Sequence, residues 1–248
     1  MEVFKSILST GVADTVALYS SNETLCAIVA LLCYLISIAS AYFIGSINFA
    51  IILSNKRGDD IRNYGSQNAG TTNMLRTYGK RAAVLTLVGD FLKGTVAVLI
   101  GLVLAGVYGQ YLAALFAVVG HVFPIYYKFK GGKGIATAAG TILACEPIVL
   151  LILIIAFAVV VGFTKYVSLA SIMVAMLYPL LLDRYYKFIG APSGLHILCV
   201  VILSCIVLWK HYPNMQRLLN KTESKISFKK KSSAEAKPSE KEDRGEDK

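Results

Sequence analysis

Lysine and glycine crowd together in Lys128-Phe129-Lys130-Gly131-Gly132-Lys133-Gly134, between the end of one apolar stretch and the start of another. Those residue types suit an oxyanion. Glycine lets backbone N–H groups turn toward an anion with no Cβ in the way, lysine adds charge, and a helix beginning there adds the positive end of its dipole. The expected ligand is a phosphate, with Gly131, Gly132 and Gly134 around Lys133. A nucleotide loop of the Walker type is excluded, because Tyr127 stands where its first glycine belongs and Gly134 follows Lys133 where Ser or Thr is needed.

The first polar loop in chain order ends at Arg76 and offers Ser66, Gln67, Asn68, Thr71, Thr72 and Asn73. Such a set can surround a polyhydroxy or phosphorylated ligand, and Arg76 can grip phosphate with two parallel donors. Alone, it reads equally well as an ordinary polar loop with Thr71 or Asn73 capping a helix. Asp90 and Lys93 share one helix face inside an apolar segment, where ionisable groups turn toward protein or a wet cavity. A pair locking helices together is as good a reading as a part in chemistry, and we place both behind the substrate contacts. His121 reads as a satisfied interior histidine or a cavity wall, and His196, without polar company, as structural. His211 and Asn214 stand at i and i+3 where the last apolar segment ends, aimed at one ligand. Ser168 and Ser171 repeat that spacing, although serines in helices often bond back to their own backbone.

These residues need a scaffold, and the composition names it. Apolar residues make up 56% of the chain and charged ones 16%, and the mean hydropathy is +0.61. That is membrane-protein composition. Apolar blocks lie near 25–53, 82–107, 110–127, 134–145, 147–163, 168–182 and 194–209, giving an all-α bundle of seven transmembrane helices. Glu146-Pro147 leaves open that the fourth and fifth blocks form one kinked or re-entrant element, which would make six. With the N-terminus outside and the C-terminus cytoplasmic, only Lys5, Arg184 and Lys187 of the 25 lysines and arginines fall outside, and Lys93 lies within a span. Both polar loops and His211 then share the cytoplasmic side. The same topology accounts for the net charge of +10 without nucleic acid as a partner.

We divide the chain into an extension over residues 1–24, a membrane domain over 25–220 and a charged, disordered tail over 221–248, where Lys229-Lys230-Lys231 can touch anionic lipid. The start of the chain lacks the basic, apolar and cleavage regions of a secretory signal, so the first apolar segment is expected to stay in the protein. Cys26, Cys33, Cys145, Cys199 and Cys205 lie in or beside apolar segments and read as buried hydrophobes, with no metal-ligand spacing. No metal or organic cofactor is indicated.

Set in chain order, these pieces resemble the bacterial membrane glycerol-3-phosphate acyltransferases that use acyl phosphate as donor, the PlsY family. The resemblance runs from about Tyr42 to Glu223. It rests on Gly45-Ser46-Ile47, Gly65-Ser66 through Arg76, Asp90 with Lys93-Gly94, Gly120-His121, Phe129 through Gly134, Tyr166 through Ser171, and His211 with Asn214, Arg217 and Glu223. Each motif is weak alone; their order is specific. The resemblance implies acyl transfer from acyl phosphate to the sn-1 hydroxyl of glycerol 3-phosphate, giving lysophosphatidic acid and phosphate for phospholipid synthesis, in the bacterial cytoplasmic membrane with the site facing the cytoplasm. It also implies Ser66, Asn68, Arg76, Lys133, Ser171, His211 and Asn214 as catalytic residues, with Gly131, Gly132, Gly134, Thr72, Asn73 and Ser168 binding substrate. Three positions depart from the family pattern. Asn48 stands where proline is usual, Gln67 where glycine is usual, and Asn220-Lys221 where a glycine is expected before Thr222-Glu223.

The chemistry fits those residues from below. Acyl phosphate is a mixed anhydride with a good leaving group, so the protein's main task is to hold two anions together and stabilise developing charge. The histidine with an aspartate five positions on, used by thioester-dependent acyltransferases, is absent: Tyr126, Val201 and Gln216 fill those positions. His211 is open to a general-base or a phosphate-binding role, and the substrate's own phosphate is an alternative proton acceptor. A transporter for a phosphorylated metabolite is the competing class, disfavoured by the lack of an internal repeat. A purely structural scaffold leaves the glycine-rich loops unexplained.

Overall fold

The computed structural model describes residues 10–190 and 194–226, and its regular structure there is helical throughout. Residues 1–9, 191–193 and 227–248, the last including Lys229-Lys230-Lys231, lie outside the described residues. The helices are α1 (Val12–Tyr19), α2 (Glu23–Ser46), α3 (Phe49–Asn55), α4 (Thr71–Tyr78), α5 (Lys80–Val122), α6 (Ile135–Cys145), α7 (Pro147–Thr164), α8 (Val167–Phe188), α9 (Leu195–Lys210) and α10 (Tyr212–Leu219). Among the described residues, four helical stretches are long and apolar enough to cross a membrane, five if α9 and α10, bent by 53°, count as one.

Three features separate that count from the seven apolar blocks. The first block is broken at Ile47–Asn48, because the Asn48 side chain accepts from Ile51 N–H at 3.1 Å and so starts a new helix, α3. The second and third blocks are joined in the 43-residue α5, which is non-helical at Ala105 and Gly106, where Gly106 has φ 59°. A Cβ placed on either Gly101 or Gly109 would meet the other's carbonyl oxygen. Eight residues span about 12 Å along an unbroken helix, so α5 doubles back on itself at this bend. The fourth block, α6, has 11 residues and stops at Glu146, and Pro147 then occupies the first position of α7, where its missing N–H does no harm.

Small residues let the helices approach. Gly45 and Gly120 set α2 against the second limb of α5, meeting the backbone at Ala117 and Tyr42 respectively. Gly94 and Gly140 do the same for the first limb of α5 and α6, against Thr137 and Phe91. At the bend, Gly11 abuts the Gly106 backbone, and Ala13, Cys33 and Ala105 pack together, so α1 covers the tip of the doubled helix.

At the α6–α7 junction, Glu146 Oε1 accepts from Tyr111 (3.1 Å) and Tyr186 (3.0 Å), and the Tyr186 ring stacks on His196 at 4.2 Å. His196 is held by ring contacts with Tyr186 and Tyr111, and its buried Nε2 meets no hydrogen-bond partner among the described residues, in keeping with a structural role. This clasp joins α5, α7, α8 and α9 at one end of the bundle; the polar loops lie at the other.

Candidate active site

The loop before α4 is organised by one buried amide. Asn73 Nδ2 donates to the carbonyls of Ile61 (3.2 Å), Tyr64 (2.9 Å) and Asn68 (3.1 Å), while Oδ1 accepts from Ser66 N–H at 3.0 Å. Its hydrogen-bonding capacity is thus engaged by the loop's own backbone. A Cβ on Gly65, which has φ 58°, would collide with Asn73 Oδ1. Asn48 Nδ2 reaches the Ala69 carbonyl at 3.4 Å, so the residue standing in place of the usual proline both caps α3 and braces this loop. Gln67 has φ 57°, a left-handed backbone suited to the glycine that the family resemblance implies at this position. Arg62 donates to the carbonyls of Tyr127 (3.1 Å) and Lys130 (3.2 Å), tying the first polar loop to the second.

In the second loop the structure divides the cations and glycines. Lys128 and Lys130 are exposed and stand away from the cavity described below. Gly131 N–H donates to Val122 O and Gly132 N–H to His121 O, each at 3.2 Å, so these donors cap the end of α5 and do not face a ligand. Gly131 and Gly132 are also absent from the cavity wall. Lys133, Gly134 and the first turn of α6 do line it, with Gly134 at φ 86° as the helix cap. The expected dipole end is present, while the expected glycine N–H cradle reduces to the Lys133–Gly134 corner.

Lys133 Nζ donates to Asn214 Oδ1, and Asn214 Nδ2 donates to Glu223 Oε1 at 2.8 Å. Glu223 Oε2 accepts from Arg217 Nε at 2.7 Å. Burial pushes the Lys133 ammonium down to about 8, with Glu223 opposing and Arg217, Arg76 and Lys210 adding to the fall. For Glu223 burial acts to raise the carboxyl, but the hydrogen bonds from Arg217 and Asn214 outweigh it and hold the group below its usual range. His211 is buried, and its Nδ1 donates to Val207 O at 2.8 Å, which leaves Nε2 as the acceptor of the neutral ring. Ser171 Oγ bonds back to Val167 O at 2.9 Å, the backbone bond that weakened its reading from sequence. Ser168 Oγ is buried beside Glu223 at a geometry that completes no hydrogen bond among the described residues.

Behind this group, Lys93 Nζ makes a salt bridge of 2.8 Å with Asp90 Oδ1 and donates to His121 Nδ1 at 2.8 Å and to the Ile47 carbonyl. All three ammonium donors are used, and all three side chains are buried. The i,i+3 pair therefore locks α5 to the end of α2, while Asp90 and His121 also reach the cavity wall.

The cavity measures about 1280 Å³ and has two chemistries. Its polar end holds Ser66, Asn68, Thr72, Asn73, Arg76, Lys133, Gly134, Ser168, Ser171, His211 and Asn214, so the structure brings together every sequence-derived site residue except Gly131 and Gly132. Its apolar end runs between α5, α6, α7, α8 and α9 past Leu92, Ile142, Leu150, Ile154, Tyr178 and Leu203. Leu92 and Ile154 line the cavity and are also about half exposed on the bundle surface (52% and 51%), which opens the groove sideways. None of Tyr111, Glu146, Tyr186 and His196 contributes to the wall, so among the described residues the cavity stops short of the clasp. Glu223 and Arg217 complete the polar end; in the sequence their only signal is the Asn214-Arg217-Glu223 spacing, masked by the charged run that follows.

Residues 35–221 match the family model described as glycerol-3-phosphate acyltransferase. Among curated proteins, the chain is 41% identical over 206 residues to a glycerol-3-phosphate acyltransferase of Paraburkholderia phytofirmans, covering 80% of this chain and 93% of that protein. It is 43% identical over 189 residues to one of Finegoldia magna, covering 75% and 92%. Among solved structures, the fold is similar to PlsY, an integral membrane glycerol 3-phosphate acyltransferase, in its glycerol 3-phosphate form, with a TM-score of 0.72, 33% identity, and coverage of 78% of this chain and 96% of that one. The lysophosphatidic acid form of PlsY gives a TM-score of 0.70 at 32% identity, covering 79% and 96%.

Proposed function

Because the chain belongs to the glycerol-3-phosphate acyltransferase family, we propose that it transfers an acyl group from acyl phosphate to the sn-1 hydroxyl of glycerol 3-phosphate, giving lysophosphatidic acid and inorganic phosphate. The observation that carries this reading is a single cavity that is cationic at one end and apolar, open sideways, at the other. A phosphorylated acceptor suits the first and a long acyl chain the second. The acceptor oxygen attacks the acyl carbon, the bond to the donor's phosphate oxygen breaks, and phosphate leaves with the bonding pair. Lys133, Arg76 and the first turn of α6 surround the place where that negative charge collects. Ser66, Asn68, Thr72 and Asn214 orient the acceptor by hydrogen bonds, with Ser168 and Ser171 contributing hydroxyls to the same polar end.

The hydroxyl proton has two acceptors in reach of this arrangement, His211 Nε2 and a substrate phosphate. We favour the phosphate, since an acyl phosphate needs little help from a base. His211→Ala should then lower kcat/KM mainly through KM; near-complete loss of turnover with unchanged substrate binding would assign the base to His211 instead. The same reading places the protein in a bacterial cytoplasmic membrane with seven spans, N-terminus outside and the polar end of the cavity toward the cytoplasm. The reversal of α5 at Gly106 and the concentration of basic residues beside the polar loops support it. Cysteine-labelling of intact cells at Lys128 and Arg184 variants tests the orientation: Arg184 should label from outside and Lys128 only after permeabilisation.

The decisive assay uses purified protein in lipid with labelled glycerol 3-phosphate and either palmitoyl phosphate or a palmitoyl thioester. Labelled lysophosphatidic acid from the phosphate donor alone is expected. Product from the thioester alone would overturn the donor assignment, and no product from either would return attention to transport. A transporter is disfavoured by the cavity's end short of the clasp.

A further inference from the structure

Residues 221–226, which follow α10, turn back against the molecule. Lys221 has φ 58°, and the Thr222 and Glu223 N–H groups donate back to the Arg217 carbonyl at 2.8 and 3.1 Å, so the backbone reverses. The next residues run across the polar end of the cavity, whose wall includes Glu223, Ser224 and Ile226. Residues 221–226, read from sequence as the start of a solvated tail, are thus pinned on both sides. On one side the Ser224 carbonyl accepts from Arg76 Nη2 at 3.1 Å. On the other, Ile226 N–H donates to the Lys165 carbonyl at 2.8 Å and the Lys225 ammonium lies 5.4 Å from the centre of the Tyr166 ring. Lys165, at φ 64°, is the left-handed residue that ends α7.

We propose that residues 222–226 form a strap that closes the polar end of the cavity over a bound phosphorylated substrate, with the Ser224 carbonyl as a positioning group for Arg76. This rests on the reading that glycerol 3-phosphate occupies that end. Glu223 anchors the strap's near end through Asn214 and Arg217, the groups next to Lys133. Among the described residues the far end is held by one backbone hydrogen bond and one cation–ring contact, each weak enough to break and remake during turnover. One guanidinium donor of Arg76 goes to Ser224, which fixes the direction of the fork while leaving its other N–H groups for phosphate oxygens.

The far anchor can be cut without touching the polar cluster. Ile226→Pro removes the donor to Lys165 and keeps Glu223 and Ser224, whereas Ile226→Ala keeps the donor. In full-length protein in lipid, Ile226→Pro should raise KM for glycerol 3-phosphate roughly tenfold above that of Ile226→Ala, which removes the same cavity-lining side chain but keeps the donor, with kcat little different between the two. Lys225→Ala, which loses the Tyr166 contact, should shift KM the same way by roughly threefold. Amide hydrogen exchange across 222–226 should slow when glycerol 3-phosphate is added to the wild type, and the proline variant should lose that response. Normal wild-type turnover, with strap exchange indifferent to glycerol 3-phosphate and equal KM for the proline and alanine variants, overturns the strap and leaves the function standing. No turnover and no ligand-induced protection in the wild type overturns both.

Discussion

Lys133 is where pH should act on this site. Its folded-state value of about 8, set first by burial, means the cation is present below that pH and lost as pH rises through it. For the free enzyme, kcat/KM for glycerol 3-phosphate should therefore fall above about pH 8. Lys133→Arg, whose guanidinium stays charged, should lose that descending limb while running more slowly. Removing either cation outright, in Lys133→Ala or Arg76→Ala, should lower kcat/KM by about 1.5–3 kcal/mol, the worth of a charged hydrogen bond; unaltered kinetics in folded variants would remove them from the site. Two of the three family departures share one physical cause: Gln67 and Lys221 both occupy left-handed backbone, at φ 57° and 58°. Gln67→Gly and Lys221→Gly should each stabilise by about 0.5–1 kcal/mol, visible as a higher thermal midpoint. Lys133, His211 and Asn214 were legible in the sequence because charge at a glycine turn and i,i+3 spacing are local signals. Asn73 was legible as polar, not as the brace of its own loop, since that depends on where Ile61 and Tyr64 turn their carbonyls.

Among the helices, spacing carried some features and hid others. The i,i+3 relation of Asp90 and Lys93 and the stop at Glu146-Pro147 follow from residue order, and both are seen. The halt at Asn48 looked like one more position in an apolar run, and the diversion of Gly131 and Gly132 N–H groups to the end of α5 is a contact between segments that composition does not reveal. Two substitutions separate scaffold from site. Gly140→Val pushes a side chain into the Phe91 backbone, with an overpacking cost of about 1–3 kcal/mol, and displaces the helix that presents Lys133. Both thermal midpoint and turnover should fall. Glu146→Leu removes the acceptor that the Tyr111 and Tyr186 hydroxyls share and leaves them only each other at 3.1 Å, at a cost of about 1–3 kcal/mol, but outside the cavity wall. There the midpoint should fall while KM for both substrates holds.

At the scale of the whole molecule, a bundle held by glycine seams on α2, α5 and α6 is combined with a cavity whose walls change from charge to hydrocarbon along its length. The apolar composition made the bundle legible. The number of segments that reach across it was not, because α5 hides a reversal inside one continuous helical run and α6 is only 11 residues long. The sideways opening at Leu92 and Ile154 has a kinetic consequence. A donor that enters through it is drawn from a two-dimensional reservoir, so its effective concentration is a mole fraction in the bilayer and not an amount per volume of buffer. Adding inert lipid at constant total donor should slow the reaction as if donor had been removed, while the same dilution leaves the apparent affinity for the water-borne acceptor untouched.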